Sequence, residues 1–102
     1  MLTMRASEIA AAVGGTLRGD DVAVTGSVET DSRLVAEGAV FFAMPGEVTD
    51  GHRFVDAAIA AGAALVVAER PLEQDVPHVL VPDGVVALGA LAAEVIRRVR
   101  AA

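Results

Sequence analysis

Residues 39–69 read AVFFAMPGEVTDGHRFVDAAIAAGAALVVAE, and the order of patterns along them sets the fold class. The run AVFFAM, residues 39–44, is apolar without a break and of strand length, as expected for a strand covered on both faces. PGEVTDG is turn chemistry. From 52 to 61, Phe54, Val55, Ala58 and Ile59 fall on one helical face, with Asp50 placed to cap its start and Gly62 to end it. AALVVAE, residues 63–69, is a second strand. Strand, helix, strand is a βαβ unit, which places two parallel strands side by side with a helix packed over them.

The flanking sequence extends this unit. Residues 6–13, ASEIAAAV, put Ile9, Ala12 and Val13 at helical spacing, and Gly14-Gly15 supply a left-handed residue to stop the helix. TLRG and then VAVTGSVET alternate apolar and polar positions through Val22, Val24 and Val28, predicting a strand or a bulged strand pair around Gly26. On the other side, RPLEQDVP is a loop, HVLVP a short strand and DGVVALGALAAEVIRRVRAA a closing helix. That helix offers Val86, Leu88, Leu91, Ala92, Val95 and Val99 for burial, and Arg97, Arg98 and Arg100 oppose its dipole favourably in the last turns. The expectation is one α/β domain with a small mixed β-sheet of four to six strands flanked by helices, in two or three layers.

Composition narrows what such a domain can do. The chain of 102 residues suits one domain with a modest core, and with only three Phe and no Tyr or Trp that core must be built from small residues. All eight basic residues are Arg, set against 14 acidic ones, for a net charge of -6. A polyanion or an anionic membrane is therefore a poor partner, so neither nucleic acid nor membrane is expected. No Cys is present, which removes disulfides and thiolate chemistry. The first ten residues lack the pattern of a secretory signal, and the most apolar stretch is interrupted by Asp56 and Gly62, so the reading is a cytoplasmic protein.

Without Lys the chain contains no P-loop of the form G-x-x-x-x-G-K-[ST], whose lysine reaches the terminal phosphates of ATP. GGTLRG follows a helix and leads into a strand, the reverse of the dinucleotide-binding order, and reads as a helix cap. Asp50 and His52 offer two metal ligands where ordinary zinc sites need three or four, so no metal site is expected. Ser27, Thr30 and Ser32 have no base that spacing can pair with them. Two polar clusters remain. TDSR, residues 30–33, ends one candidate strand and MPGEVTDGH, residues 44–52, ends the next. If those strands are neighbours, both clusters line one edge of the sheet, where ligands of α/β proteins bind. The competing reading is local: Asp31 and Ser32 cap a turn, while Gly46 and Gly51 serve backbone geometry.

The ordered string TDSRLVAEGAVFFAMPGEVTDGHRFVDAAIAAGAALVV resembles the N-terminal domain of the Mur ligases of peptidoglycan synthesis. It carries D-S-R at Asp31, Ser32 and Arg33, then Gly38, Phe41 or Phe42, Ala43 and Gly46. Next come D-G-H at Asp50, Gly51 and His52, Phe54, and a helix ending at Gly62-Ala63. The opening and closing helices look most like the members that join D-alanyl-D-alanine to UDP-N-acetylmuramoyl-tripeptide. Members that add the third amino acid share the same signatures.

The resemblance implies that residues 1–102 bind the UDP part of a UDP-N-acetylmuramoyl-peptide. Ser32 and the backbone around Glu47, Val48 and Thr49 would hydrogen-bond it, Asp31 and Arg33 would order or contact it, and Gly46, Asp50 and Gly51 would complete the pocket. It further implies that ATP and magnesium are handled by a central domain and the incoming amine by a C-terminal one, both beyond Ala102, so these 102 residues alone are not expected to be catalytic. The alternative from another class is a stand-alone α/β binding module on the same scaffold.

Overall fold

The computed structural model describes residues 3–44 and 51–101. In chain order the elements are β1 (Met4–Arg5), α1 (Ala6–Val13), β2 (Thr16–Arg18), β3 (Ala23–Val24) and β4 (Val28–Glu29), then a 3-10 turn (Ser32–Leu34) and β5 (Val40–Phe42). A second 3-10 turn (Gly51–Phe54) leads into α2 (Val55–Ala60), followed by β6 (Leu65–Ala68), β7 (His78–Leu80) and α3 (Gly84–Ala101). The main sheet has the order β2-β7-β6-β5-β4, and β1 and β3 form a separate two-stranded ribbon.

The expected βαβ unit is present. β5 and β6 pair in parallel with Val40 opposite Leu65, Phe41 opposite Val66 and Phe42 opposite Val67, and α2 lies between them in the chain. β4 and β7 extend the parallel array on either side, and β2 closes it antiparallel to β7, which makes the sheet mixed. Because side chains alternate across a strand, the apolar run splits between two cores. Val40, Phe42, Leu65 and Val67 pack with Ile9 of α1 and with Ala87 and Leu91 of α3. Phe41, Ala43, Val66 and Ala68 pack with Val55 and Ala58 of α2. The domain therefore has three layers, with α1 and α3 on one face of the sheet and α2 on the other.

Three sequence expectations need correction. The strand pair around Gly26 is really two strands in different sheets: β3 pairs with β1, whereas β4 pairs with β5. Gly26 sits where the chain passes from one to the other, and a Cβ there would lie 2.7 Å from the backbone N of Ala39. The helix expected over 52–61 begins as a 3-10 turn, so its phase changes; Val55 and Ala58 are buried but Phe54 is 37% exposed, with Arg53 stacked over its ring. Asp50, expected to cap it, lies outside the described residues. On α3 the buried positions are Gly84, Ala87 and Leu91, with Leu88 and Val95 partly buried beside them. Val86 and Val99, at 66% and 59% exposed, and also Ala92 fall on the outer side of that stripe.

Polar contacts fix how the first layer meets the sheet. Gly14 ends α1 in the left-handed conformation, as its sequence predicts. At the other end, Asp21 accepts hydrogen bonds from the backbone N–H and hydroxyl of Ser7, both at 2.8 Å, and caps α1 from a distant loop. Near the C-terminus of α3, Arg98 reaches Glu8 of α1 at 3.0 Å and Glu94 at 2.7 Å, while Arg97 meets Glu94 at 2.6 Å. Hydrogen bonds from Arg97 and then Arg98 hold the Glu94 carboxyl at about 2. These arginines tie two helices together as well as opposing the dipole.

Candidate functional site

The parallel register decides where the two polar clusters lie. Val28 is opposite Val40 and Glu29 opposite Phe41, so β4 and β5 are direct neighbours running the same way. Their C-terminal ends, and those of β6 and β7, emerge at one edge of the sheet. TDSR leaves β4 at this edge and the second cluster begins there after β5. The condition set by the sequence reading, that the two strands be adjacent, is met.

Within TDSR the local chemistry is now visible. Asp31 caps the first 3-10 turn: its Oδ1 accepts the backbone N–H of Arg33 at 2.9 Å. The Arg33 guanidinium then folds back on the same carboxylate, donating through Nε at 3.0 Å and through Nη2 at 2.7 Å. Leu34 and Val35 donate their N–H groups to the carbonyls of Asp31 and Ser32, at 3.0 and 3.3 Å, which closes the turn. Ser32 is half-buried within it, and the turn packs against α2. The local reading of Asp31 as a turn cap is thus part of the geometry. It rigidifies the segment, with Arg33 mostly in solvent and its charge directed to Asp31.

Side-chain and then backbone hydrogen bonds from Arg33 hold the Asp31 carboxyl down at about 2. A depressed carboxylate contributes stability above its unfolded value, near 3.8, and loses it as pH falls through about 2. Following the Asp31 side-chain carboxyl by NMR between neutral pH and strong acid should therefore give a midpoint near 2 in the wild type and a rise toward the ordinary value in Arg33→Ala. An unshifted midpoint in the wild type would show that the pair does not persist in solution.

The second cluster is only partly within view. Gly46, Glu47, Val48, Thr49 and Asp50 lie outside the described residues, as does Pro45. Gly51 opens the second 3-10 turn. His52 is buried at 8% exposure and its Nε2 accepts the backbone N–H of Glu69 at 3.3 Å, joining this turn to the end of β6. His52 thus sits in the turn that leads into α2 and is tied by this bond to the neighbouring strand.

The edge also includes residues that the sequence did not single out. Glu69 follows β6 directly, and its carboxylate accepts the N–H of Gly84, the first residue of α3, at 2.7 Å. Asp83 accepts the N–H groups of Val85 and Val86 at 2.9 and 3.1 Å, and its carbonyl takes that of Ala87. The first four N–H groups of α3, ordinarily a ready anion site, are therefore already occupied. Those four N–H groups are therefore not open to an anion at this edge. Among the described residues, no group of three His, Cys, Asp or Glu side chains is placed to hold a metal ion.

Comparison with known proteins agrees with this geometry. The sequence profile of the Mur ligase family, catalytic domain, matches residues 24–100. The chain is 38% identical over 101 residues, 99% of its length, to the UDP-N-acetylmuramoyl-tripeptide--D-alanyl-D-alanine ligase of Escherichia coli, of which it spans 22%. It is 53% identical over 66 residues, 65% of its length, to the UDP-N-acetylmuramoyl-L-alanyl-D-glutamate--2,6-diaminopimelate ligase of Geobacillus kaustophilus, of which it spans 14%. Among solved structures, MurF from Acinetobacter baumannii superposes with a TM-score of 0.81 at 29% identity, covering 91% of this chain and 21% of that one. MurF from Thermotoga maritima, solved with ADP, superposes with a TM-score of 0.61 at 39% identity over 70% of this chain and 17% of that one. Sequence pattern, sheet order and these likenesses converge, and the chain belongs to the Mur ligase family.

Proposed function

We propose that residues 1–102 form the N-terminal, UDP-substrate-binding domain of an ATP-dependent ligase that adds D-alanyl-D-alanine to UDP-N-acetylmuramoyl-tripeptide in the cytoplasm. The observation that supports this reading is the parallel adjacency of β4 and β5, whose C-terminal ends, the first of them leading into TDSR, lie at one edge of the sheet. Ser32 and the backbone of Glu47, Val48 and Thr49 hydrogen-bond the uridine diphosphate, Gly46, Asp50 and Gly51 shape the loop that presents them, and the Asp31–Arg33 pair holds Ser32 in place. On a chain of net charge -6, oriented backbone N–H groups are the appropriate donors for a pyrophosphate, because they attract an anion locally without a basic surface. The dipeptide-adding assignment is supported by the likeness to the Escherichia coli ligase over 99% of the chain.

A second reading, the domain of a ligase adding the third amino acid, draws on the 53% identity to the Geobacillus kaustophilus enzyme, over the shorter span. Both readings share the same uridine pocket. The chain has no Lys from which to build a P-loop, and no metal-donor cluster occurs among the described residues. Phosphorylation of the substrate carboxylate by ATP and capture of the incoming amine are assigned to further domains, since the matched relatives are several times longer than this chain.

The test is a titration of the isotope-labelled chain with UDP and with UDP-N-acetylmuramoyl-tripeptide, followed by amide resonances. Shifts concentrated at residues 30–33 and 46–52 are expected. Scattered shifts, or none with the full precursor at millimolar concentration, would overturn the assignment in favour of a binding module of another kind.

A further inference from the structure

The two shoulders of α3 differ. The one toward α1 is closed by charge, with Arg98 reaching Glu8 at 3.0 Å and Glu94 at 2.7 Å. The other opens toward the border strand β4 as a groove of about 380 Å³, lined by Val28, Leu88, Leu91, Ala92, Val95 and Ile96, all of them apolar. Val85, Leu88, Ala92, Val95 and Val99 recur three and four residues apart in alternation, so they form one apolar line along the whole helix. Packing on the sheet uses Gly84, Ala87 and Leu91 instead. The line is surplus to the fold, and on it and beside it Val85 and Ile96 are 68% and 53% exposed. A continuous apolar surface of this kind marks an interaction site.

We propose that the groove between α3 and β4 is the docking surface for the domain that follows in the polypeptide, which seats a row of aliphatic side chains in it; the inference rests on the ligase reading above. Length and position select this occupant. The Escherichia coli relative is matched over 99% of the chain, which spans 22% of it, and the matched fold is 21% of MurF from Acinetobacter baumannii. Most of such a polypeptide therefore lies outside this domain. On that reading the next domain follows α3, and Ile96 and Val99 lie in the last two turns of that helix. Size points the same way. One side of an 18-residue helix presents about 300 Å², whereas separate molecules that associate stably bury about 800 Å² each. A second copy of the chain would need more surface than this. A tethered domain needs less, because the tether supplies an effective concentration on the order of millimolar.

The experiment labels the Ile, Leu and Val methyl groups in the 102-residue chain and in the chain with its native continuation, and reads their broadening by a soluble paramagnetic agent. Val85, Ile96 and Val99 should be strongly broadened in the shorter chain and as protected as the buried Leu91 in the longer one. Ile96→Asp should leave the melting temperature of the shorter chain unchanged and, in the longer chain, expose Val85 and Val99 to the agent. Ala93→Asp, at an exposed position outside the groove, should leave them protected. Equal broadening in the two chains would overturn the inference, as would a reading frame that stops at Ala102. Protection already present in the shorter chain and lost on dilution would overturn it in favour of a second copy. Binding of UDP-N-acetylmuramoyl-tripeptide to the longer chain, followed by calorimetry, separates the two readings. A chain that binds it with these methyls exposed keeps the ligase reading and loses the docking surface, and one that protects them without binding it does the reverse.

Discussion

Phe42→Ala is expected to destabilise the chain by about 3–5 kcal/mol, the cost typical of truncating a fully buried aromatic residue. Phe42 is 0% exposed, in the core shared by β5, β6, α1 and α3. Domains of this size have about 5–15 kcal/mol of stability in total. Here the low end is relevant, because the neighbours are mainly Val and Ala and each removes little apolar area from water. Small neighbours also have few rotamers with which to fill the space a phenyl ring leaves. Phe41→Ala should cost a similar amount from the opposite face, where Val66, Val55 and Ala58 surround it. Urea unfolding followed by circular dichroism is the measurement, with a large fall in midpoint and an unchanged slope expected. A loss below about 1 kcal/mol at both positions would mean that the sheet is not the shared wall of two cores.

Gly62→Ala should also be strongly damaging, at about 2–6 kcal/mol. Its φ of 107° lies where L side chains rarely go, and a Cβ there would sit 2.7 Å from the Glu37 Cα and 3.1 Å from its N. The first effect costs about 1–3 kcal/mol and the second, an overpacking against backbone that cannot rotate away, about as much again. The close approach has a purpose in the fold: the Gly62 carbonyl accepts the N–H of Gly38 at 2.9 Å and Ala64 donates to Ala39 at 2.8 Å, which aligns the starts of β5 and β6. Thermal unfolding of Gly62→Ala beside the control Gly89→Ala, where a Cβ meets nothing within 4 Å, isolates the effect. Equal melting temperatures for the two variants would contradict the close approach.

The parts of the fold legible in the sequence were those set by local pattern. AVFFAM and ALVVA are uniformly apolar because both faces of their strands are covered, and Gly14 and Gly62 end their helices for reasons contained in the residues themselves. The division at Gly26 was not legible, since VAVTGSV alternates equally well whether it serves one sheet or two. Helical spacing found Leu91 but also placed Val86 and Val99 on the apolar stripe of α3, and only the sheet it packs on determines that Ala87 faces inward in their stead. At the site, D-S-R and D-G-H were visible as a string. The roles of Glu69 and Gly84 were not, because the hydrogen bond joining them spans 15 positions and leaves no periodic trace. A buried His that accepts a backbone N–H has no local signature either, and His52 became interpretable only once β6 was beside it.

The brevity of the outer strands bears on how the protein behaves when crowded. β4 at one border of the main sheet has two residues and β2 at the other has three, ending in Arg18. A border of two or three residues offers too few unpaired backbone groups to recruit an incoming strand, and a terminal guanidinium opposes stacking against another copy. VFF of β5, rich in β-forming residues, is kept in the interior with a partner on each side. Self-association into extended cross-strand assemblies would therefore first require the domain to open.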